Sequence, residues 1–420
     1  MSLYLAIVVR LTLQLWYVAL SNYGHMPFAD VGRMTMIERT LSSFLKDSAG
    51  WFPVVSVTGP RQSGKSTLVQ SMFADYEYVN LEDEATRNLA HCDPAGFIRE
   101  HSSRLVIDEA QRVPGLFSAI QVASDASGEN GQYVLSGSQN FLLLRQIAQT
   151  LAGRVGICRL LPLSYRECID GGVHADPDSF MLEGGYPRLR VANIPPQVFF
   201  DNYVQTYVER DVAGLVAARS LASFRSLLGL CARSCGSLLN VSRLASDVGV
   251  SRATVDSWLS ILESSYVIFR LQPYHANLRK RLTKTPKVYF YDSGLLCHLL
   301  GIGTLEQLRD SPARGAVFEN LVIEETLKRH VHAGRSPELY FYRDDSKVEV
   351  DLVDLTARSA PELIEIKSTT TYRPSLSRHL GAVGDALGIP AERRGVVLRS
   401  DASHVVDGVK FWSAHEWLMR

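Results

Sequence analysis

The chain lacks an excess of charge of either sign. Its 420 residues include 44 Lys and Arg against 44 Asp and Glu, so the formal net charge is zero. A protein that covers a polyanion with its whole surface needs an excess of positive charge. The balance therefore excludes a wholesale polyanion binder and leaves only local basic patches. With 46% hydrophobic and 21% charged residues, the composition is that of a globular protein of two or three domains.

The chain also lacks the cysteine spacing of a zinc site. Its six cysteines are scattered without a CxxC pair, and Cys231 and Cys235 have no further Cys or His close by in sequence. We therefore expect reduced, buried thiols in a cytoplasmic protein. Internal repeats and low-complexity segments are absent from the sequence as well.

A long apolar run occurs at the N-terminus, over residues 3–20. It has the length of a membrane span or signal sequence, but Arg10 and Gln14 fall in its middle, and an arginine at the bilayer centre is costly. We treat residues 1–35 as a separate extension and expect translation to start at Met34 or Met36. A peripheral docking helix and a membrane tether are the alternatives.

The most specific motif is a phosphate-binding loop between an apolar run at 54–57 and a helix predicted over 65–73. It consists of Gly59, Pro60, Arg61, Gln62, Ser63, Gly64, Lys65 and Ser66, followed by Thr67. The glycines allow backbone N–H groups to point at phosphates, Lys65 reaches the β- and γ-phosphates, and the Ser66 hydroxyl binds Mg²⁺. The loop predicts a site for a nucleoside triphosphate, ATP or GTP, with Mg²⁺.

A second motif provides the chemistry for hydrolysis. An apolar strand predicted over 104–107 ends in Asp108 and Glu109. Beside a P-loop, Asp108 completes the magnesium shell and Glu109 polarises the attacking water. Further strands are predicted at 76–81 and 132–136, with helices between them. Such alternation predicts an α/β fold with a parallel sheet covered on both faces.

The order of these motifs resembles a known family. After the P-loop come Leu-Val-Ile-Asp-Glu-Ala-Gln (105–111), Leu-Ser-Gly-Ser-Gln (135–139) and Leu-Ala-Gly-Arg (151–154). This order is similar to that of bacterial and archaeal AAA-type ATPases that carry a C-terminal domain of unknown function, and the resemblance extends from Met36 to the end. It implies a γ-phosphate sensor at Ser138 or Gln139. It also makes Arg154 a candidate for contacting nucleotide or an adjacent segment, and Arg210 a candidate arginine finger, with a structural salt bridge as the alternative for each.

A helix-turn-helix pattern occupies residues 238–262. Two apolar helix faces flank a turn at Gly249, and Ser251 is placed to cap the second helix; the apolar positions are Leu244, Ala245, Val248, Val255, Leu259 and Leu262. A strand predicted over 266–271 completes a winged helix. Its outward residues Arg252, Asp256 and Ser257 would face a DNA groove.

A basic segment follows the winged helix and suits contacts with DNA phosphates. Its residues are Tyr274, His275, Arg279, Lys280, Arg281, Lys284 and Lys287. The alternative is that the winged helix docks protein or serves as a lid, as it often does in AAA-type ATPases.

Carboxylates recur on two predicted strands near the C-terminus. Asp351 lies on a strand over 348–353, and Glu365 and Lys367 alternate along the next, with Ile366 facing the core. This pattern resembles restriction-type nucleases, in which Asp351 and Glu365 would bind Mg²⁺ and Lys367 would position water; Glu319 is a candidate third carboxylate. An ordinary charge pair, or a nuclease-like fold used only for binding, are the alternatives.

These patterns together predict four parts after the extension: a AAA-type core (36–165), a helical region (166–235), a winged helix (236–290) and a restriction-endonuclease-like α/β domain (291–420). The first functional hypothesis is an ATP-hydrolysing protein that acts on DNA. The second is a non-cleaving, nucleotide-dependent switch, regulatory or antitoxin-like, which binds DNA or protein. Self-association is left open.

Overall fold

The computed structural model describes residues 36–101, 104–137, 140–192, 194–208, 220–274 and 285–420. The predicted extension 1–35 lies outside these ranges. So do eight residues singled out in the sequence: Ser138, Gln139, Arg210, His275, Arg279, Lys280, Arg281 and Lys284. Within the described ranges, no helix is both long enough and apolar enough to cross a membrane.

The N-terminal part is built on a five-stranded parallel sheet with strand order β2-β3-β4-β1-β5. Its strands are β1 (Val54–Thr58), β2 (Glu77–Asn80), β3 (Leu105–Asp108), β4 (Tyr133–Gly137) and β5 (Val155–Arg159). Helices alternate with them at Leu41–Trp51, Lys65–Met72, Glu84–Cys92, Pro94–Glu100, Gly115–Ser127 and Asn140–Thr150. Val54 packs into a core on one face, whereas Val55 and Val57 pack into a core on the other. The predicted parallel α/β sheet is therefore confirmed.

Strand β5 was not predicted from the sequence. It is an edge strand that pairs with β1, from Val54 opposite Val155 to Thr58 opposite Arg159. Its apolar pattern is weak, because Ile157 is exposed and Gly156 faces Phe52 too closely to carry a side chain. The strand adjoins the P-loop, because its last residue, Arg159, pairs with Thr58, which directly precedes the loop.

The middle of the chain is helical and contains the predicted helix-turn-helix. Its helices are Tyr165–Asp170, Pro177–Glu183, Pro187–Ala192, Pro196–Tyr203, a π-helix at Val204–Val208, Leu221–Arg233, Val241–Val248 and Arg252–Ser264. Gly249 ends the first helix of the motif with a φ of 74°, and the Ser251 side chain accepts a hydrogen bond from the Thr254 N–H at 3.1 Å. The predicted turn and cap are thus confirmed.

An eight-stranded mixed sheet forms the rest of the molecule, in the order β12-β13-β11-β10-β9-β8-β6-β7. Its strands are β6 (Ile268–Pro273), β7 (Lys287–Phe290), β8 (Leu339–Arg343), β9 (Glu349–Asp354), β10 (Glu362–Lys367), β11 (Arg394–Leu398), β12 (His404–Val406) and β13 (Val409–Ser413). Helices lie at Ser293–Leu299, Leu305–Asp310, Arg314–His332, Leu380–Leu387 and Ala414–Leu418.

This sheet crosses the boundary predicted at 290/291. The expected wing strand β6 pairs with β7 and also, through Gln272 and Pro273, with β8 of the C-terminal region. One hydrophobic core joins Phe224 of the helical region and Val255 of the helix-turn-helix to Phe318 and Ile364. The helix-turn-helix with its following strand and the C-terminal α/β region are therefore one structural body, because a shared sheet and a shared core leave no interface along which to divide them.

The helix Arg314–His332, called the long helix below, links the two ends of the molecule. It packs against β10 and β7 of the mixed sheet and also against β5 and the helix Leu41–Trp51. At about 1.5 Å per residue, its Glu319 and His332 lie roughly 20 Å apart along the axis. One helix thus reaches both the C-terminal carboxylates and the P-loop domain.

Candidate functional site

The P-loop follows β1 directly, and two of its glycines are required by the backbone. Gly59 has a φ of 152°, and a Cβ there would collide with the Leu160 carbonyl oxygen. Gly64 has a φ of 92° and precedes the first turn of the helix Lys65–Met72. Residues with side chains rarely adopt such angles. The loop therefore directs the N-terminus of this helix toward the space where phosphates bind in P-loop proteins.

Lys65 and Ser66 stand at the start of this helix, as predicted. The buried Lys65 ammonium group donates to the carbonyl oxygens of Gly59 at 3.0 Å and Pro60 at 2.7 Å. The Ser66 hydroxyl donates to Asp108 Oδ2 at 2.7 Å. The P-loop and the end of β3 thus meet through the two residues predicted to hold Mg²⁺, and both offer the oxygen ligands that this ion prefers.

Asp108 is held by two further residues, and neither of them was predicted from the sequence. The Tyr78 hydroxyl donates to Asp108 Oδ2 at 2.7 Å, and the Ser136 hydroxyl donates to Oδ1. Burial first, and then the hydrogen bond to Asp108, raise the pKa of Tyr78 well above its ordinary value. Because both come from the neighbouring strands β2 and β4, only the order of strands in the sheet could have identified them.

Glu109 is held in an unusual backbone conformation. Its φ of 55° lies in the left-handed region, which a non-glycine residue seldom occupies without support from its surroundings. Its N–H donates to Asp108 Oδ1 at 3.0 Å, and its carboxylate accepts from the side-chain amide of Gln111. Glu109 therefore lies next to the pair formed by Ser66 and Asp108, and Gln111 orients its carboxylate.

The structure does not place Arg154 at this site. Arg154 precedes β5, at the end of the sheet opposite to the P-loop, and its carbonyl accepts from the N–H of Val54. Its guanidinium binds Asp125 with distances of 2.5 and 3.0 Å. The structure thus favours the salt-bridge alternative for Arg154 over the predicted contact with nucleotide or an adjacent segment.

A buried arginine supports the P-loop from outside the motif. The Arg39 guanidinium donates to the Ser63 carbonyl at 2.8 Å and to the Leu161 carbonyl at 2.6 Å. In addition, the Thr58 hydroxyl at the end of β1 lies 3.0 Å from the hydroxyl of Tyr266, which precedes the wing strand. The P-loop is therefore fixed by residues far away in sequence on both sides.

The C-terminal residues Asp351, Glu365 and Lys367 come together as predicted. The Lys367 ammonium lies 3.1 Å from Asp351 Oδ2 and 2.6 Å from Glu365 Oε1, and Asp351 also accepts from the Ile366 N–H at 2.8 Å. Burial and then the charge of Asp351 raise the pKa of Glu365 to about 7. We call these three residues, together with Glu319 and Lys287, the lysine–carboxylate cluster.

Lys287 belongs to this cluster and not to a DNA-binding surface. Its side chain is only 4% exposed, and its ammonium lies 3.2 Å from Glu319 and 2.6 Å from Glu349. Tyr289, two residues along β7, also donates to Glu319. The prediction that Lys287 contacts phosphate is therefore wrong, because alternation along β7 turns both side chains inward onto the long helix.

Glu319 is consequently not arranged as a third metal ligand. Burial, and then Asp351, raise its pKa, while Lys287 opposes the shift. Among the residues that the structure describes, no group of three or more His, Cys, Asp or Glu side chains is arranged to hold a metal ion. A two-carboxylate arrangement remains: Asp351 and Glu365 adjoin each other, and Glu365 Oε2 is buried without a hydrogen-bond partner.

The outward face of the second helix of the helix-turn-helix carries paired charges. Arg252 and Ser257 are exposed, as predicted, and Arg252 lies 3.8 Å from Asp256. On the preceding helix, Arg243 lies 3.7 Å from Asp247. Exposed pairs of this kind contribute little energy, so both arginines can rearrange toward another partner.

Three family models match consecutive segments of the chain. Residues 52–169 match an AAA domain, residues 175–306 a domain of unknown function (DUF8612), and residues 314–417 another domain of unknown function (DUF4143). The AAA match covers the whole parallel sheet, including β5. It agrees with the P-loop geometry and with the resemblance inferred from the motifs.

Similar proteins occur in bacteria and archaea. The uncharacterized protein Rv2008c of Mycobacterium tuberculosis is 34% identical over 362 residues, which span 84% of this chain and 78% of the relative. An uncharacterized protein of Haemophilus influenzae is 23% identical, spanning 74% and 81%. Among solved structures, a Walker-type ATPase of Pyrococcus abyssi is 16% identical with a TM-score of 0.43, covering 64% of this chain and 97% of that one. The chain belongs to the same family as Rv2008c, and its N-terminal part is a AAA-type, P-loop domain.

Proposed function

We propose that this chain is a magnesium-dependent ATPase. The observation that carries the proposal is the contact between Ser66 and Asp108, which joins the P-loop to the end of β3. In P-loop nucleoside triphosphatases, the serine and the aspartate at these positions both bind the magnesium ion or its water shell. The AAA domain match over residues 52–169 supports the same assignment.

Each residue of the site then has a defined task. The N–H groups of residues 59–66 and the Lys65 ammonium bind the phosphates, and Ser66 and Asp108 hold the ion. The ion supplies charge neutralisation on the phosphate oxygens. Glu109 orients the attacking water after it exchanges its bond with Gln111.

The test separates binding from hydrolysis. We expect Glu109→Gln to bind a fluorescent ATP analogue like the wild type but to hydrolyse ATP about 100-fold more slowly, because it loses the group that polarises water. A variant that keeps wild-type turnover would refute the role of Glu109. A wild-type chain that binds no nucleotide would refute the proposed function itself.

We further propose that the ATPase acts on DNA and that the lysine–carboxylate cluster is a phosphodiester-hydrolysing site. Asp351 and Glu365 offer two carboxylates, and Mg²⁺ is commonly bound by one or two carboxylates with water. The unpaired Glu365 Oε2 supports this assignment. Lys367 contacts both carboxylates and would position water or stabilise developing charge.

The alternative is a non-cleaving switch, in which the same cluster only holds the sheet together. It is favoured by the lysine ammonium groups, which already neutralise the carboxylates. Nicking of supercoiled plasmid, with and without ATP and with Mg²⁺ or Mn²⁺, distinguishes the two. Cleavage by the wild type that is absent in Asp351→Asn supports the nuclease; no cleavage under any of these conditions leaves the switch.

A further inference from the structure

The C-terminal end of the long helix is buried against the P-loop domain through a histidine. His332 is 1% exposed, and its Nε2 accepts a hydrogen bond from the Leu161 N–H at 3.2 Å. That bond fixes the proton on Nδ1, which lies 3.5 Å from Glu167 Oε1. The ring therefore joins the segment after β5 to the carboxylate of Glu167.

Glu167 is an ionised, fully bonded carboxylate in this interior. Its Oε1 accepts from the Thr40 N–H at 2.7 Å, and its Oε2 accepts from the Ser164 N–H at 2.9 Å. Arg39 Nε lies 3.3 Å away. Burial by itself would raise the pKa of Glu167, but Arg39 and then His332 outweigh it and hold the pKa well below its usual value.

Arg39 completes the connection to the nucleotide site. Its two terminal nitrogens hold the Ser63 carbonyl inside the P-loop and the Leu161 carbonyl beside His332. With its side chain 7% exposed, Arg39 has little freedom to take another position. A cavity of about 50 Å³ lies at the same junction, lined in part by Thr40, Ser164 and His332, so it is large enough for water molecules.

We propose that Arg39, Glu167 and His332 form a positioning relay by which the C-terminal region sets the affinity of the P-loop for nucleotide. The inference rests on the proposed nucleotide-binding function. Its physical basis is that the loop can bind phosphate tightly only while the Ser63 carbonyl is held by Arg39. Arg39 is oriented by Glu167, and Glu167 by His332, which the long helix carries.

The long helix offers a matched control two residues away. His330 is also buried, at 5% exposure, but faces the opposite way, and its Nε2 lies 2.6 Å from Asp354 on β9. Replacing either histidine removes one buried imidazole and one contact to a carboxylate from the same helix end. Of the two, His332 alone contacts Glu167 and Leu161 beside the P-loop. A general loss of stability should therefore appear in both variants, whereas a loss of nucleotide affinity caused by the relay should appear only in the His332 variant.

The experiment measures the Kd of a fluorescent ATP analogue, together with KM and kcat for ATP, on the full chain. We expect His332→Leu to raise Kd and KM about tenfold with little change in kcat, a typical size for coupling between two sites. His330→Leu should leave both constants near the wild-type values. His332→Gln should restore most of the affinity, because an amide can both accept from the Leu161 N–H and donate to Glu167.

Equal shifts in His332→Leu and His330→Leu, or no shift in either, would overturn the relay while the wild type still binds ATP. If His332→Leu does not fold, Arg39→Lys tests the same connection, since a single ammonium cannot hold the Ser63 and Leu161 carbonyls and Glu167 at once. Arg39→Lys with unchanged Kd would also overturn the inference. A wild-type chain that binds no nucleotide would instead refute the proposed function.

Discussion

The P-loop site and the lysine–carboxylate cluster both bring charged side chains together in the interior, but they do so differently. At the P-loop, Asp108 accepts from neutral hydroxyl groups, and the nearby carboxylate Glu167 is paired with a guanidinium. In the cluster, carboxylates lie next to one another, and lysines neutralise them. The first arrangement leaves charge for a ligand, whereas the second is largely neutralised by its own side chains.

The largest expected effect separates the two sites by their aspartates. Asp108→Asn should lower kcat/KM for ATP by about 10²–10³-fold, because the amide cannot replace a carboxylate on the magnesium shell. Asp351→Asn should stay within about twofold of the wild type in the same assay. Steady-state ATP hydrolysis measures both variants. A comparable loss in Asp351→Asn would show that the two sites do not act separately.

The two sites also differ in how much of them the sequence predicts. The P-loop is contiguous, and Asp108 ends an apolar strand, so both follow from local patterns. Tyr78, Arg39 and Lys287 could not be assigned, because their partners are 30, 24 and 32 residues away. Lys287 shows the difficulty most clearly: it follows a run of basic residues, and only its position on β7 turns it into the interior.

The next effect concerns the stability of the cluster. Lys287→Met should lower the free energy of unfolding by about 3 kcal/mol, since it leaves the Glu319 side chain, which is only 17% exposed, without its cation. Glu349 keeps its contact with Arg343. Lys367→Met removes a lysine whose side chain is 38% exposed. Because the pKa of Glu365 is raised to about 7, Glu365 can take up a proton in place of the lost cation, and the change should cost about 1 kcal/mol or less. Urea unfolding measures both. A larger loss for Lys367→Met than for Lys287→Met would contradict the burial argument.

The third prediction uses the opposite directions of two pKa shifts. The pKa of Glu167 is lowered in the folded chain, so its contribution to stability is present above about pH 4.5 and is lost as the pH falls below that value. The pKa of Glu365 is raised from 4.5 to about 7, so its contribution is present below pH 4.5 and is lost as the pH rises toward 7.

Urea midpoints measured in EDTA across this pH range test both directions. Glu167→Gln should remove part of the loss of stability on the acid side. Glu365→Gln should remove part of the loss that the wild type shows as the pH rises toward neutrality. Identical pH dependence in the wild type and both variants would contradict the assigned environments.

The smallest expected effect concerns the hydrogen bond between Thr58, at the end of β1, and Tyr266, which precedes β6. Tyr266→Phe removes the hydrogen bond to Thr58 and should cost about 1 kcal/mol of unfolding free energy. Thr58→Val and the double variant complete a thermodynamic cycle. Additive effects in that cycle would mean that the contact between the two hydroxyl groups contributes nothing.

The central claim is that residues 59–66 hold a nucleoside triphosphate, and binding of labelled ATP with Mg²⁺ to the wild type and to Lys65→Ala tests it most directly. Lys65 is the cation held within the loop, by the carbonyls of Gly59 and Pro60. We predict saturable binding by the wild type and a loss of affinity of at least about 100-fold in Lys65→Ala. Equal binding by the two proteins, or none by the wild type, would contradict the account.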